Sequence, residues 1–351
     1  MKRFAAIFFF TIILFLLGFF FFHKKARAPS VIKKTEKTII HETPHQTMLF
    51  VPYWTLASLD KRIYQKLIYF GITANTTGID TAEDGYKNIG KFISLTSKNQ
   101  ETLLAVRLIN TDVNQKLLDD PTFRQKIISQ SIEIAKQYAF NGIILDLEIH
   151  AFPFDSVIKT ISDFNADFYK NFKENSLSYF VSFYGDTFYR ARPYDVSSFA
   201  KNSDGIFILA YDLHKANGDP GPNFPISRSV DGEYDLKQMI ADFQKDVPTK
   251  KLSVVFGLFG YDWKVNDKNQ AQGTATSESS LFFAGKFKNI CTLTACTVRR
   301  DTLSTETTAA YNDANSSHIV WFDDMQSVKE KTAFLNTKGI FSIAFWANSY
   351  F

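Results

Sequence analysis

The sequence predicts an α/β fold, a closed barrel of eight parallel strands, on three observations. Short β-branched and aromatic runs recur eight times after Thr47, helical patterning fills most of the gaps between them, and no glycine-rich dinucleotide fingerprint follows the first run. Eight such units argue for a (β/α)8 TIM barrel over an open doubly wound sheet. The runs are Met48 to Tyr53, Leu67 to Ile72, Leu103 to Ile109, Gly142 to Glu148, Tyr179 to Tyr184, Gly205 to Asp212, Leu252 to Gly260 and Phe341 to Ala347. A barrel with insertions absorbs 351 residues as one domain. With 45% hydrophobic and 22% charged residues the chain has an ample core, which excludes disordered and collagen-like classes. No short-period repeat suggests a solenoid.

The helices carry their own start and stop signals. After Asp120-Pro121, the segment Thr122 to Tyr138 sets Phe123, Ile127, Ile128, Ile132, Ile134 and Ala135 near one face, with Pro in the first turn. Residues 156–173 behave similarly, and Asp324 caps a last helix that runs through Val328, Ala333, Phe334 and Leu335 to a stop at Gly339. The stretch from about Asp262 to Ser317 breaks the rhythm. It is rich in Thr, Ser and Asn, too long for one crossover helix, and is read as a small insertion subdomain after strand seven.

The first fifty residues speak of location. Phe4 to Phe22 is a run of nineteen uncharged residues, nine of them Phe, and a helix of that length roughly matches a ~30 Å hydrocarbon core. Residues 1–22 are expected to be a transmembrane signal anchor. A cleaved signal peptide is the alternative, since Ala26-Arg27-Ala28 faintly resembles a cleavage box; the protein would then be secreted. Lys24, Lys25 and Arg27 outweigh Lys2 and Arg3, so charge bias leaves sidedness open. Residues 23–47, basic and without apolar periodicity, read as a flexible linker. Lys2, Arg3 and this linker hold eight Lys and Arg against two Glu, which leaves 32 against 34 in the body of a chain whose net charge is +4. No nucleic-acid footprint survives there. Cys291 and Cys296 enclose four residues, a spacing that suits a disulfide-closed hairpin in an oxidising compartment or two inert thiols.

Barrel enzymes work at the carboxyl ends of their strands, so polar residues that finish an apolar run carry weight. In Asn141-Gly142-Ile143-Ile144-Leu145-Asp146-Leu147-Glu148, period two places 144, 146 and 148 on one face, and both carboxylates point into the barrel mouth. Paired carboxylates repel, one pKa rises, and that group can supply a proton near neutrality. A structural pair held by loop amides or by Arg107 is the bland alternative. His150, His214 and His318, the only histidines of the body, lack the tight spacing of a metal site, and nothing points to a cofactor.

This stretch resembles the Asp-Gly-x-Asp-x-Asp-x-Glu signature of glycoside hydrolase family 18, the chitinase-like family, and the likeness continues in order from about residue 48 to residue 351. Phe50-Val51-Pro52-Tyr53-Trp54 fits strand one. Leu209-Ala210-Tyr211-Asp212, with His214 and Pro220-Gly221-Pro222, resembles strand six and its loop; Gly257 to Trp263 resembles strand seven. Val320-Trp321-Phe322-Asp323-Asp324 with Ser327 and Lys331, then Phe341 to Trp346, resembles the closing helix and strand eight. The cell-wall and spore-cortex lytic branch is the most similar. The resemblance implies a hydrolase of N-acetylglucosamine-containing polysaccharide, peptidoglycan or chitin, with Glu148 as general acid and Asp146 orienting the substrate's own 2-acetamido group. It further implies that Tyr211 bonds the acetamido carbonyl, that Asp212 positions that sugar, and that Trp346 forms its floor. Tyr53, Trp54, Tyr184 and Tyr261 are softer groove candidates, each also readable as a core or rim aromatic.

Departures from the pattern matter equally. Asn141 replaces the first Asp, at what reads as the buried start of the strand. Ile144 replaces a polar residue and should raise the Asp146 pKa by desolvation. The strand-three Ser-x-Gly-Gly is absent; Val106-Arg107-Leu108-Ile109-Asn110 stands there, so that Arg107 either pairs with the acids or binds substrate. Two functions follow as expectations: a membrane-anchored, extracytoplasmic hydrolase, or a catalytically weak carbohydrate-binding barrel. Retention of Glu148 favours the enzyme.

Overall fold

A computed structural model describes residues 46–59, 64–228, 232–291 and 296–351. The strands, in chain order, are β1 (Gln46–Pro52), β2 (Lys66–Asn75), β3 (Gly78–Ile79), β4 (Glu101–Leu108), β5 (Gly142–Leu147), β6 (Ser178–Tyr184), β7 (Gly205–Ala210) and β8 (Leu252–Gly257), then β9 (Phe259–Val265), β10 (Thr276–Ser279), β11 (Cys296–Arg300), β12 (Thr307–Asn312) and β13 (Ser317–Phe322), and finally β14 (Ser342–Trp346). All but β3 of the first group, together with β14, are parallel. They follow the order β1-β14-β8-β7-β6-β5-β4-β2, and β1 also pairs with β2, which closes the barrel. All eight sequence-read runs are barrel strands. Alternate residues such as Phe50, Ile68, Ile144, Phe207 and Val255 fill the interior, while the other face packs against the helices.

Helices form where the sequence signals them. Asp120 caps Pro121–Gln137 by accepting from the Thr122 and Phe123 amides at 2.8 and 3.1 Å. In Asp155–Glu174 the i, i+4 series Phe164, Phe168 and Phe172 is fully buried, and the rings of Phe168 and Phe172 lie 5.2 and 5.8 Å from that of Tyr179 on β6. Asp324 and Ser327 make a reciprocal capping box at Met325–Thr337, a device worth about 1 kcal/mol; Gly339, at φ +75°, ends that helix.

The insertion is wider than the sequence suggested. Its antiparallel sheet, ordered β10-β9-β13-β12-β11, runs from Phe259 to Phe322, so two stretches read as barrel motifs belong to it. Gly257 ends β8, the Leu258 amide still donates to the Trp346 carbonyl at 2.7 Å, and the next residue enters the second sheet. The run Val320 to Phe322, taken as the approach to the closing helix, is its β13. The helix Ser280–Ile290 covers one face through Phe283 and Phe287. Cys291 and Cys296 are joined in a disulfide. Asn141 is exposed rather than buried, and its side chain accepts from the Thr102 amide at 2.8 Å. Among the described residues no helix is long and apolar enough to cross a membrane; the run Phe4 to Phe22 and the linker up to His45 lie outside them.

Lys331, Asp323 and Glu306 meet with no exposure, the ammonium 2.7 and 2.8 Å from the two Asp323 oxygens and 2.8 Å from Glu306. Burial and then Glu306 push the Asp323 carboxyl up to about 8, against the pull of Lys331. A carboxyl whose pKa is higher folded than unfolded contributes fully below its unfolded value, and that contribution is lost as pH rises through the folded one. Melting temperature should therefore fall as pH rises from about 4 to about 8, and less steeply in Asp323→Asn; an equal slope in the variant would assign the loss to other groups.

Candidate active site

Strand register builds the site in rows. Arg107 on β4, Asp146 on β5 and Ser182 on β6 are register partners in adjacent strands. Ser182 donates to Asp146 Oδ1 at 2.7 Å, and Arg107 Nε approaches Oδ2 at 3.4 Å. Arg107 thus pairs with an acid, and its guanidinium also lies 4.4 Å from the Phe70 ring centre. Just past β5, two residues beyond Asp146, stands Glu148, whose amide continues the ladder to the Leu108 carbonyl at 3.0 Å and whose carboxylate faces the Tyr184 hydroxyl. Directly beneath Asp146 on the same face, Ile144 is 1% exposed.

Burial and then the Glu148 charge raise the Asp146 pKa, while Arg107 and Ser182 pull it down. The direction agrees with the desolvation expected from Ile144. Burial and the bond to Glu148 push the Tyr184 phenol upward, so it stays a donor. Tyr211, just past β7, is raised by burial and then by Asp146, Asp212, Tyr184 and Glu148, the groups it faces. Asp212 is raised by burial and eased by Tyr261, whose hydroxyl donates to Oδ1 at 2.6 Å, and by Lys215.

Trp346 ends β14 above the apolar interior, its ring 4.4 Å from Phe70 and 5.8 Å from Phe50. Trp54, 53% exposed, stands edge-on to Phe70 at 6.3 Å and continues this aromatic floor. The structure therefore brings Glu148, Asp146, Tyr211, Tyr184, Arg107, Asp212 and Tyr261 into one connected set, with Trp346 and Trp54 beside it. Tyr53 stands edge-on behind Trp54 at 5.0 Å and turns to the barrel–helix layer, against Gly71, where a Cβ would come within 2.7 Å of its ring. Gly71 has φ +150° at a bulge of β2. His150 is exposed, His214 bonds the Pro222 carbonyl at 2.8 Å, and His318 bridges Asp262 and Asp313.

Ser182 was missed in the sequence, although period two from Tyr184 points it inward. Also missed was the rim pair of Arg190 and Arg192 on buried Asp186, each at 2.6 Å, with Arg192 lying 4.2 Å from the Tyr184 ring centre. The open face of the insertion sheet lines a groove of about 750 Å³ with Arg299, Thr308, Ile319 and Trp321.

The profile described as glycosyl hydrolases family 18 matches residues 35–350. The chain belongs to this family. It is 22% identical over 338 residues to a class V chitinase of Arabidopsis thaliana, covering 86% of each chain. It is 24% identical over 250 residues to the cortical fragment-lytic enzyme of Bacillus anthracis, covering 68% of this chain and 53% of that one, about half its length. Its fold matches the Bacillus cereus spore cortex-lytic enzyme SleL with a TM-score of 0.73 at 18% identity, covering 88% of this chain and 71% of that. A Group IV chitinase of Ostrinia furnacalis in complex with allosamidin gives 0.74 at 19% identity, covering 86% and 92%.

Two substitutions test this geometry in the family 18 chain. A Cβ on Gly257 would meet Tyr211 Cβ at 2.8 Å and the Phe259 ring at 2.5 Å, so Gly257→Ala must move one of them. Steady-state turnover should fall at least about tenfold, since displacements of about 1 Å at a catalytic group cost up to a hundredfold; unchanged turnover would show that Tyr211 holds its place. Ile144→Asn should lower the Asp146 pKa, read by carboxyl NMR titration, and an unmoved titration would remove Ile144 from the account.

Proposed function

We propose that this protein is a retaining, substrate-assisted glycosidase that cleaves β-1,4 linkages after N-acetylglucosamine, with peptidoglycan ahead of chitin as substrate. The observation that carries the reading is the stack on β5: a carboxylate held by Ser182 and Arg107, with a second carboxyl one step above it toward solvent. Glu148 gives its proton to the glycosidic oxygen as the bond to the anomeric carbon breaks. The substrate's acetamido oxygen forms the new bond to that carbon, with Asp146 accepting from the acetamido N–H and Tyr211 donating to its oxygen. Water then adds to the anomeric carbon from the vacated side as the bond to the acetamido oxygen breaks, which regenerates the acetamido group, and the water's proton passes to Glu148. Asp212 positions the sugar, Trp346 receives its apolar face, and Trp54, Tyr184, Tyr261 and Arg107 shape the groove, with Tyr53 as its outer support.

Membership of family 18 supports the class of reaction, and the relatives include both chitinases and cortex-lytic enzymes. The apolar run Phe4 to Phe22, the basic linker behind it and the disulfide support an extracytoplasmic enzyme tethered to a membrane beside its insoluble substrate. Ile144 and the missing strand-three motif favour one second reading, a carbohydrate-binding barrel that recognises N-acetylglucosamine polymers without turnover.

Incubation of the purified protein with peptidoglycan and with chitin oligomers, followed by mass spectrometry of new reducing ends, separates these readings. N-acetylglucosamine ends that disappear in Glu148→Gln, with a loss of roughly a hundredfold or more, are expected. Binding without cleavage would favour the second reading, and undiminished cleavage by the variant would dismiss the role of Glu148.

A further inference from the structure

Asp212 holds a backbone conformation that L-residues adopt rarely, φ +61°, and no glycine relieves it. What holds it there is Asn223. The Asn223 side-chain oxygen accepts from the Asp212 amide at 2.7 Å, and its carbonyl accepts from the Leu213 amide at 2.9 Å. The same side chain donates to the Gly257 and Phe259 carbonyls at 3.3 and 3.2 Å, which bracket the step from β8 into β9. Strand β9 carries Tyr261, the residue that grips the Asp212 carboxylate. One amide group therefore governs Asp212 from both sides, its main chain directly and its carboxylate through the strand bearing Tyr261.

Asn223 is in turn immobilised from beneath. It is 1% exposed, and Glu306, 0% exposed, receives the Asn223 amide on Oε2 at 2.5 Å and the Phe224 amide on Oε1 at 2.8 Å. Lys331 pins Glu306 at 2.8 Å and is shared with Asp323. Only an amide satisfies this position. Its oxygen faces an N–H and its nitrogen faces two carbonyls, so a carboxylate would oppose both carbonyls, and an apolar side chain would strip the Asp212 amide of this acceptor and both carbonyls of this donor.

We propose that Asn223, clamped by the buried Glu306–Lys331–Asp323 triad, is a positioning residue for the reaction that acts through Asp212. This rests on the glycosidase reading above. The isosteric Asn223→Asp tests it with no cavity created. At neutral pH kcat should fall about tenfold or more against wild type, with KM little changed. As pH falls, the ratio of variant to wild-type kcat should recover, because the introduced carboxyl gains a proton that it can donate to one carbonyl. Glu306 and Asp212 face it as carboxylates and favour that proton; Lys331 opposes it; the Asp323 carboxyl, raised as described above, and the Tyr261 and Tyr211 hydroxyls add no negative charge.

A purely structural residue would lower activity whatever stands at 212. In Asp212→Asn, adding Asn223→Asp should lower kcat no further; losses that multiply would overturn the proposal. Should Asn223→Asp not fold, as judged by circular dichroism at each pH, Glu306→Gln serves in the same cycle, with a smaller fall expected and the same absence of effect in Asp212→Asn. A crystal structure of whichever variant folds stands apart from turnover: Asp212 released from Tyr261 or from positive φ supports the inference, and an unmoved Asp212 overturns it. If wild-type protein cleaves no glycan, the glycosidase reading fails by itself, and the crystal structure still decides whether Asn223 holds Asp212.

Discussion

The period-two alternation of β5 is the constraint on which the rest depends. It stacks Ile144, Asp146 and Glu148 on one inward face, so the apolar interior ends where the first carboxylate begins. Because the barrel is closed, the charge of Asp146 must be compensated from neighbouring strands, and register supplies Arg107 from one side and Ser182 from the other. A hydrogen bond to a charged group contributes about 1.5–3 kcal/mol, enough to hold the carboxylate but too little to cancel its burial, in keeping with a pKa that stays raised. Glu148, one pleat higher, answers to the Tyr184 hydroxyl. Two carboxyl groups of one strand thus have separate partners and can take separate roles.

The insertion does more than lengthen the chain. It begins one residue after β8, and its first strand brings Tyr261 to Asp212 while its β12 edge brings Glu306 under the loop that follows β7. The closing helix adds Lys331. Removing one member of a buried ion group typically costs about 3–5 kcal/mol, so this junction resists change even though no member of the triad reaches the mouth. Barrel and second sheet are joined where Asp212 stands, which ties the stability of the junction to the geometry of the site.

The barrel was legible because parallel strands covered on both sides read as continuous apolar runs, and the helices because Asp120, Pro121, Asp324 and Gly339 act locally. The insertion boundaries were not. Phe259, Tyr261, Trp263 and Val265 alternate as a half-buried strand does, and with only Leu258 between them and β8 nothing in the pattern announces a second sheet. Asp146 and Glu148 were readable as polar ends of an apolar run, and Tyr211 and Asp212 through the family resemblance. Asn223 was not, because its partner Glu306 lies 83 residues away and meets it only once the insertion has folded back. Tyr53 shows the converse, a local motif that fits while bulge packing at Gly71 turns the ring to the outer layer.

The most direct test of the central claim is a crystal structure of the Glu148→Gln protein with an N-acetylglucosamine oligomer. The account places one sugar on Trp346, its acetamido oxygen at the Tyr211 hydroxyl and its N–H at Asp146, with the glycosidic oxygen within hydrogen-bond reach of residue 148. An oligomer that binds away from this mouth, or with its acetamido group turned from Tyr211 and Asp146, would contradict it.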